Sequence, residues 1–237
     1  METKQRFVAF DIEIAQPLPE GVVDWRQHRP LGITCAATVT SQPEDLRLWY
    51  GRDDAEAPAD RMAQAEAQEL VEYLSRAKRE GYQILTWNGL GFDFEVLAEE
   101  SQSLDECREL AGHHVDMMFH AFCHLGYPIS LDRAARGMSM AGKPEGMSGL
   151  LAPQMWAEGQ RQQVLDYVRQ DARITLDLAL ASQSRGHLRW IAHSGKRREM
   201  PLPSGWLSVD EARKLPQPDT SWMSDPMSRD GFTAWLS

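Results

Sequence analysis

Nine residues near the start of the chain, Phe7-Val8-Ala9-Phe10-Asp11-Ile12-Glu13-Ile14-Ala15, set two acids in an otherwise apolar run. Aromatic and β-branched residues at this density favour a strand. Side chains alternate along a strand, so Asp11 and Glu13 share one face and Phe10, Ile12 and Ile14 share the other. Two neighbouring carboxylates in hydrophobic surroundings repel each other and lose hydration unless positive charge lies between them. A divalent cation satisfies that need most simply. The alternative is a strand end emerging into solvent, with one acid capping and the other hydrated. The pair alone does not choose, so the decision rests on the rest of the chain.

A chain of 237 residues accommodates one large domain, or a domain with an extension. No apolar run approaches the ~20 residues of a membrane helix, so no membrane association is expected. The polar segment from Met1 to Arg6 leads directly into the strand and does not resemble a secretory signal. Cys35, Cys107 and Cys123 are odd in number and unrelated in spacing, which suggests reduced thiols and a cytoplasmic setting. The formal charge of −10 argues against a general nucleic-acid coating protein. It leaves open an enzyme that holds a polyanion locally, because site carboxylates neutralised by divalent cations add no net charge.

The order of elements points to an α/β domain on a mixed sheet. Leu31 to Thr40 and Leu46 to Tyr50 read as strands with short links, and therefore as antiparallel neighbours. Ala59 to Glu80 reads as a helix with Leu70, Leu74 and Ala77 on its buried face. Gln83 to Trp87 is reached through that helix and is expected to run parallel to the first strand. A second helix is expected over about Phe94 to Leu110, and a short strand at His114 to Met117 precedes a helix ending near Leu125. Ser130 is a helix N-cap by type. Residues 141–159, rich in Gly, Pro and Met, read as a flexible connection. A long helix then spans about Gln160 to Ser184, with Val164, Val168, Ala172, Leu176 and Ala179 as its apolar stripe. The reading divides the chain into a domain over 1–190 and a Trp- and Pro-rich extension over 191–237, where Trp206, Trp222 and Trp235 are expected to pack on the domain.

Three acidic motifs fall at matched places in this layout. Asp11 and Glu13 lie on the first strand, and Asp93 begins the helix after Trp87-Asn88-Gly89-Leu90-Gly91-Phe92. Asp171 lies on the long helix with Tyr167 one turn earlier, and at ~100° per residue the two share a face. Four converging carboxylates call for hard divalent cations with oxygen ligands. Such a pair of cations activates water for phosphodiester cleavage.

On these motifs the chain resembles the DnaQ-like, or DEDD, superfamily of 3′–5′ exonucleases with an RNase H-like fold. Asp11-Ile12-Glu13 matches the superfamily's first motif. The second resembles the Tyr-Asn-x-x-x-Phe-Asp of family-B DNA polymerase exonuclease domains, with Trp87 in place of the tyrosine, and Tyr167-Val168-Arg169-Gln170-Asp171 matches the third. The residue five before Asp171 is Asp166, so the tyrosine rather than the histidine subtype is indicated. The likeness covers roughly residues 5–185. It implies a mixed five-stranded sheet flanked by helices, with Asp11, Glu13, Asp93 and Asp171 holding two cations, Mg²⁺ or Mn²⁺. Tyr167 would orient the water; Asn88 would contact the substrate backbone or brace the site, unless it is a plain turn residue, and Phe92 would be a platform for the terminal nucleotide or, the favoured reading, core. The implied partner is the 3′ end of nucleic acid, with single-stranded DNA favoured over RNA. The short remainder implies a stand-alone enzyme rather than a polymerase. Rival readings are an exoribonuclease, an inactive nucleic-acid-binding module, and a repair or defence complex subunit docked through the C-terminal extension.

Other residues carry weaker signals. His113, His114, His120, Cys123 and His124 invite a zinc reading, since His120 and His124 are i, i+4 on a helix, or a place beside the active site for His113 and His114. Asp116 reads as a supporting acid or a surface turn. Met138, Met140, Met147 and Met155 could line a channel or fill an irregular core. The basic run from Arg185 to Arg198 could guide a phosphate backbone or cap a helix end.

Overall fold

Five strands form where the alternation places them: β1 (Arg6–Ile14), β2 (Ile33–Ser41), β3 (Glu44–Tyr50), β4 (Tyr82–Thr86) and β5 (Val115–Asp116). The computed structural model describes residues 5–22, 24–53, 55–142 and 148–237. The strands make one sheet of order β3-β2-β1-β4-β5, with β1 at its centre. β2 runs antiparallel to β1 and β3 antiparallel to β2, while β4 and β5 join through parallel pairings. The sheet is mixed, and helices cover both faces, as expected.

The two faces of β1 bury different things. Val8, Phe10, Ile12 and Ile14 belong to a core that contains Leu70, Leu74, Phe94 and Leu97. These come from α1 (Gln64–Arg79) and α2 (Asp93–Ser101). Phe7 and Ala9 belong to a second core on the other face, with Val164, Val168, Ala172, Leu176 and Ala179 of a long helix. Asp11 and Glu13 continue that second face, so they point toward the long helix and not toward α2. Pairing with β4 ends at Ala9↔Leu85, so β1 outruns its parallel neighbour and leaves a gap beside Asp11 and Ile12.

The expected single helix after β4 is two. α2 stops at Gln102, which adopts φ 54°, and α3 (Leu104–His113) follows. The serines on either side explain the break: Ser101 Oγ donates to Leu97 O and accepts from Ser103 N, which offers the backbone an alternative to helix. α4 (Met117–Leu125) and α5 (Leu131–Gly137) follow, the latter capped by Ser130 as expected. The connection over 141–159 contains a short helix, α6 (Ala152–Ala157), with Pro153 in its first turn, where proline is tolerated. Met147 lies outside the described residues, and Met138 is core rather than channel. α7 (Arg161–Arg185) is the long helix and packs across β1 and β2.

Of the basic run, Arg185 closes α7 as a cation at the helix end, while the rest forms a hairpin, β6 (His187–Ile191) with β7 (Arg197–Pro201). Its residues alternate: Leu188 and Trp190 are buried and Arg189 between them points out. α8 (Val209–Ala212) has the expected capping box at Ser208 and Glu211. α9 (Asp230–Thr233) then brings the end of the chain back across the domain. Trp206 is buried, donating to Ser182 Oγ, and Trp235 donates to Leu90 O. Trp222 is different, 68% exposed. Among the described residues no helix is long and apolar enough to cross a membrane.

Candidate active site

The site forms where β1 extends beyond β4, at the carboxyl ends of two parallel strands. This is a general place for ligands in open α/β sheets. A β-bulge falls between Glu13 and Ile14, where pairing shifts from Glu13↔Cys35 to Ile14↔Ile33. Bulges re-aim side chains next to functional clefts. α7 lies over this face and delivers Tyr167 and Asp171, both buried. One oxygen from each of Asp11, Glu13 and Asp171 lies within 4.8 Å of the other two.

Asp93 arrives from the opposite side. It is the first residue of α2, and its Oδ1 accepts the Ile12 backbone N–H at 3.1 Å, where β4 no longer serves β1. The seven residues singled out in the sequence, Asp11, Glu13, Asn88, Phe92, Asp93, Tyr167 and Asp171, all line one cavity of about 360 Å³. Leu18, Trp87, Leu150 and Pro153 are among its apolar walls. Asp93 is not part of the close triad, so the four acids form a group of three with a fourth alongside.

The donor set is consistent with a hard cation. Oxygen ligands without sulfur or imidazole suit magnesium, manganese or calcium rather than zinc. Cys35 is opposite Glu13, but burial, with the Glu13 and Asp11 charges adding to it, pushes its thiol well up, so it supplies no thiolate. The triad is the one group of three or more potential ligands among the described residues. The histidine cluster therefore makes no zinc site there: His120 Nδ1 accepts the Leu207 N–H instead. His114 does not line the cavity, and His113 is exposed, bonded to Glu109 O.

The loop from Asn88 to Asp93 is held from beneath by buried polar groups. Asp116 is not a surface turn. It accepts the N–H groups of Asn88, Leu90 and Phe119 at 2.9–3.0 Å and caps α4. Burial pushes its carboxyl up to about 6, with those backbone donors acting in the opposite sense. Gly89 N donates to Thr86 Oγ1, which contacts His114 Nε2 at 2.9 Å. His114 Nδ1 contacts Ala111 O, which can only accept, so Nδ1 carries the proton and Nε2 receives the Thr86 hydroxyl hydrogen. Burial pushes His114 down to about 3, in keeping with a neutral ring.

Sequence reasoning missed the support from above. Trp25 stands edge-on to Phe92 at 5.0 Å and donates to Gly91 O. Arg26 and Arg29 both lie over the Trp25 ring and both bind the buried Glu95, Arg26 with two contacts of 2.9 and 2.5 Å. A tryptophan in a Pro- and Gly-containing loop was itself the signal, since so large an apolar ring seldom stays in solvent.

Fold and site together define an RNase H-like α/β protein with a carboxylate cluster at the carboxyl end of its central strand. The RNase_H superfamily model RNase_H_2 matches residues 48–181, more than half of the chain. The chain belongs to the RNase H superfamily. The matched span includes Asn88, Asp93, Tyr167 and Asp171 and begins after Asp11 and Glu13. Among solved structures, the chain is similar to the family B DNA polymerase from the hyperthermophilic archaeon Pyrobaculum calidifontis, at 21% identity and a TM-score of 0.51. The alignment covers 89% of this chain and 27% of that polymerase, so the chain spans about a quarter of its length. No curated protein sequence matches. These findings show the RNase H-like fold, and membership of the superfamily supports, in general terms, a nuclease; the likeness to the polymerase bears on the fold alone.

Proposed function

We propose that the chain is a metal-dependent 3′–5′ exonuclease acting on DNA, with single strands favoured. The observation that carries this reading is the grouping of Asp11, Glu13 and Asp171 oxygens within 4.8 Å, with Asp93, Tyr167, Asn88 and Phe92 lining the same cavity. Asp11, Glu13, Asp93 and Asp171 would hold two cations, Mg²⁺ or Mn²⁺. The chemistry these supply when bound is activation of a water and charge stabilisation at the departing oxygen.

The chain's own groups do the positioning. Tyr167 lines the cavity from one turn before Asp171 and would orient the attacking water. Asn88 holds the backbone of the terminal nucleotide, and Phe92, braced by Trp25, forms the wall it meets. Water adds to phosphorus, the bond to the preceding 3′ oxygen breaks, and a nucleoside 5′-monophosphate leaves behind a new 3′ hydroxyl. Polarity and preference for DNA rest on the likeness of the three motifs to family-B exonuclease domains.

Asp11→Ala and Asp171→Ala are each expected to lower cleavage of a 5′-labelled oligonucleotide at least about 100-fold, the larger loss seen when metal sites lose supporting groups. Circular dichroism should be unchanged. Full turnover by either purified variant would refute the mechanism. Running matched DNA and RNA strands side by side decides between a deoxyribonuclease and an exoribonuclease.

A further inference from the structure

The carboxylate cavity opens into a larger cleft of about 1660 Å³ that Asp11, Tyr167 and Asp171 also line. Pockets for small ligands run to roughly 1,000 Å³, so this cleft has room for more than one nucleotide. Its far end, away from the carboxylate triad, is lined by residues of the β6–β7 hairpin, α5 and the C-terminal segment, arginines and aromatic rings among them.

Trp222 borders the far end, 68% exposed, edge-on to Tyr127 at 6.1 Å. Its indole N–H donates to Asp219 O, which fixes the ring while leaving its face open. Arg133 and Arg198 line the same end. The Arg133 guanidinium donates to a carbonyl, Ile191 O, and so keeps its charge. Among the described residues no acid pairs with Arg198. Of the acids that line the cleft on α5 and β7, Asp132 pairs with Arg136 and Glu199 with Arg189. This part of the cleft therefore carries an open aromatic face and two arginines that no described acid pairs with, in a protein whose overall charge is −10.

We infer that this end of the cleft is a subsite for single-stranded nucleic acid upstream of the reacting 3′ end. A base stacks on Trp222 with Tyr127 behind it, and Arg133 and Arg198 meet the phosphates. Stacking platforms beside a cationic groove are the general means by which proteins hold single strands without reading sequence. A duplex presents its bases edge-on and cannot stack on Trp222. The subsite therefore makes the protein select strands that are single-stranded for several nucleotides before their 3′ end. This inference rests on the exonuclease reading above and adds a determinant contributed by the C-terminal segment, outside the span matched by the superfamily model.

The test uses the full chain and 5′-labelled dT3 and dT12, with binding followed by anisotropy in EDTA and turnover in Mg²⁺. Trp222→Ala should raise both Kd and KM for dT12 about tenfold, within the range of one lost base stack. It should leave kcat and the dT3 constants unchanged. Trp222→Phe should retain most of the dT12 affinity, because it keeps a stacking face. Arg198→Ala should lower the slope of log Kd against log salt by about 0.7, the value for one phosphate contact on a single strand. Equal dT12 affinity in wild type and Trp222→Ala would overturn the subsite while leaving the exonuclease reading intact. A wild-type protein that neither binds nor cleaves any strand would overturn both.

Discussion

Asp116 shows how a single buried acid can shape a site it does not enter. Its two oxygens accept three backbone N–H groups, two from the motif loop and one from α4. Asp116→Ala leaves those donors buried without acceptors, at a penalty of about 1–3 kcal/mol for each that water cannot reach. It should also loosen Asn88 and lower activity. Burial raises the Asp116 carboxyl from 3.8 to about 6 in the folded state. Between those values the folded chain holds a proton that the unfolded chain has released. The contribution of Asp116 to stability is therefore complete below about 3.8 and is lost as pH rises through about 6. Urea midpoints should separate wild type from Asp116→Ala more at pH 4 than at pH 7, and a gap that widens with pH would contradict the raised value. His114 and His120, held down to about 3 and about 4 by burial, act in the opposite sense, adding stability that is lost as pH falls below 6.5. The comparison of two variants at two pH values isolates Asp116 from that background.

The loop that joins β4 to α2 depends on glycines for close approach rather than for flexibility. A Cβ at Gly89 would meet Thr86 Oγ1 at 2.5 Å and the Thr86 Cβ at 2.6 Å. Thr86 is fully buried and bonded to His114, so it cannot yield. Gly89→Ala should cost about 1–3 kcal/mol as an overpacking substitution and lower cleavage at least about tenfold by displacing Asn88 and Asp93. Gly231→Ala, where a Cβ meets nothing within 4 Å, is the control and should change neither thermal midpoint nor rate. A Gly89→Ala protein with full activity would show that the loop tolerates the shift. The same loop marks the boundary of what was legible in the sequence. Strand alternation gave β1 and the shared face of Asp11 and Glu13, and helical periodicity gave α7 with Tyr167 and Asp171 together, because each signal is local. The break between α2 and α3 was hidden because three polar residues inside a helical pattern look like its exposed face. The β6–β7 hairpin was hidden because five cations within fourteen residues, 185–198, masked a short alternation. Asp116 and Trp25 carry no local pattern at all; their roles arise from partners 26–28 and 66 residues away.

Across the whole molecule the end of the chain returns to the motif loop, and this makes the C-terminal segment part of the site's support. Phe232 is buried against Phe119 and Phe122, with ring centroids 5.6 and 4.9 Å away. It lies so close to Gly91 that a Cβ there would meet its ring at 2.9 Å. Trp235 donates to Leu90 O, and Arg229 donates to the carbonyls of Arg213, Leu215, Cys123 and Pro216. Arg108 binds the last turn through Trp235 O and Ser237 O. The loop is thus held between Asp116 and Thr86 below and Trp25, Phe232 and Trp235 above. Phe232→Ala should destabilise the fold by about 3–5 kcal/mol, the usual range for a buried phenylalanine. It should also reduce cleavage more than the unfolded fraction accounts for, because the upper support of Asn88 goes with it. Measuring rate and denaturant midpoint on the same preparations separates the two effects. If activity fell only in proportion to the folded fraction, the segment would stabilise the domain without positioning the loop. Trp222 serves as the internal contrast, since it borders the cleft and is largely exposed. Its removal should leave the midpoint in place while changing the affinity for long strands. Losing stability through Phe232 and strand affinity through Trp222, within one segment of ten residues' separation, would show that the C-terminal segment supports the loop and holds the substrate through different side chains.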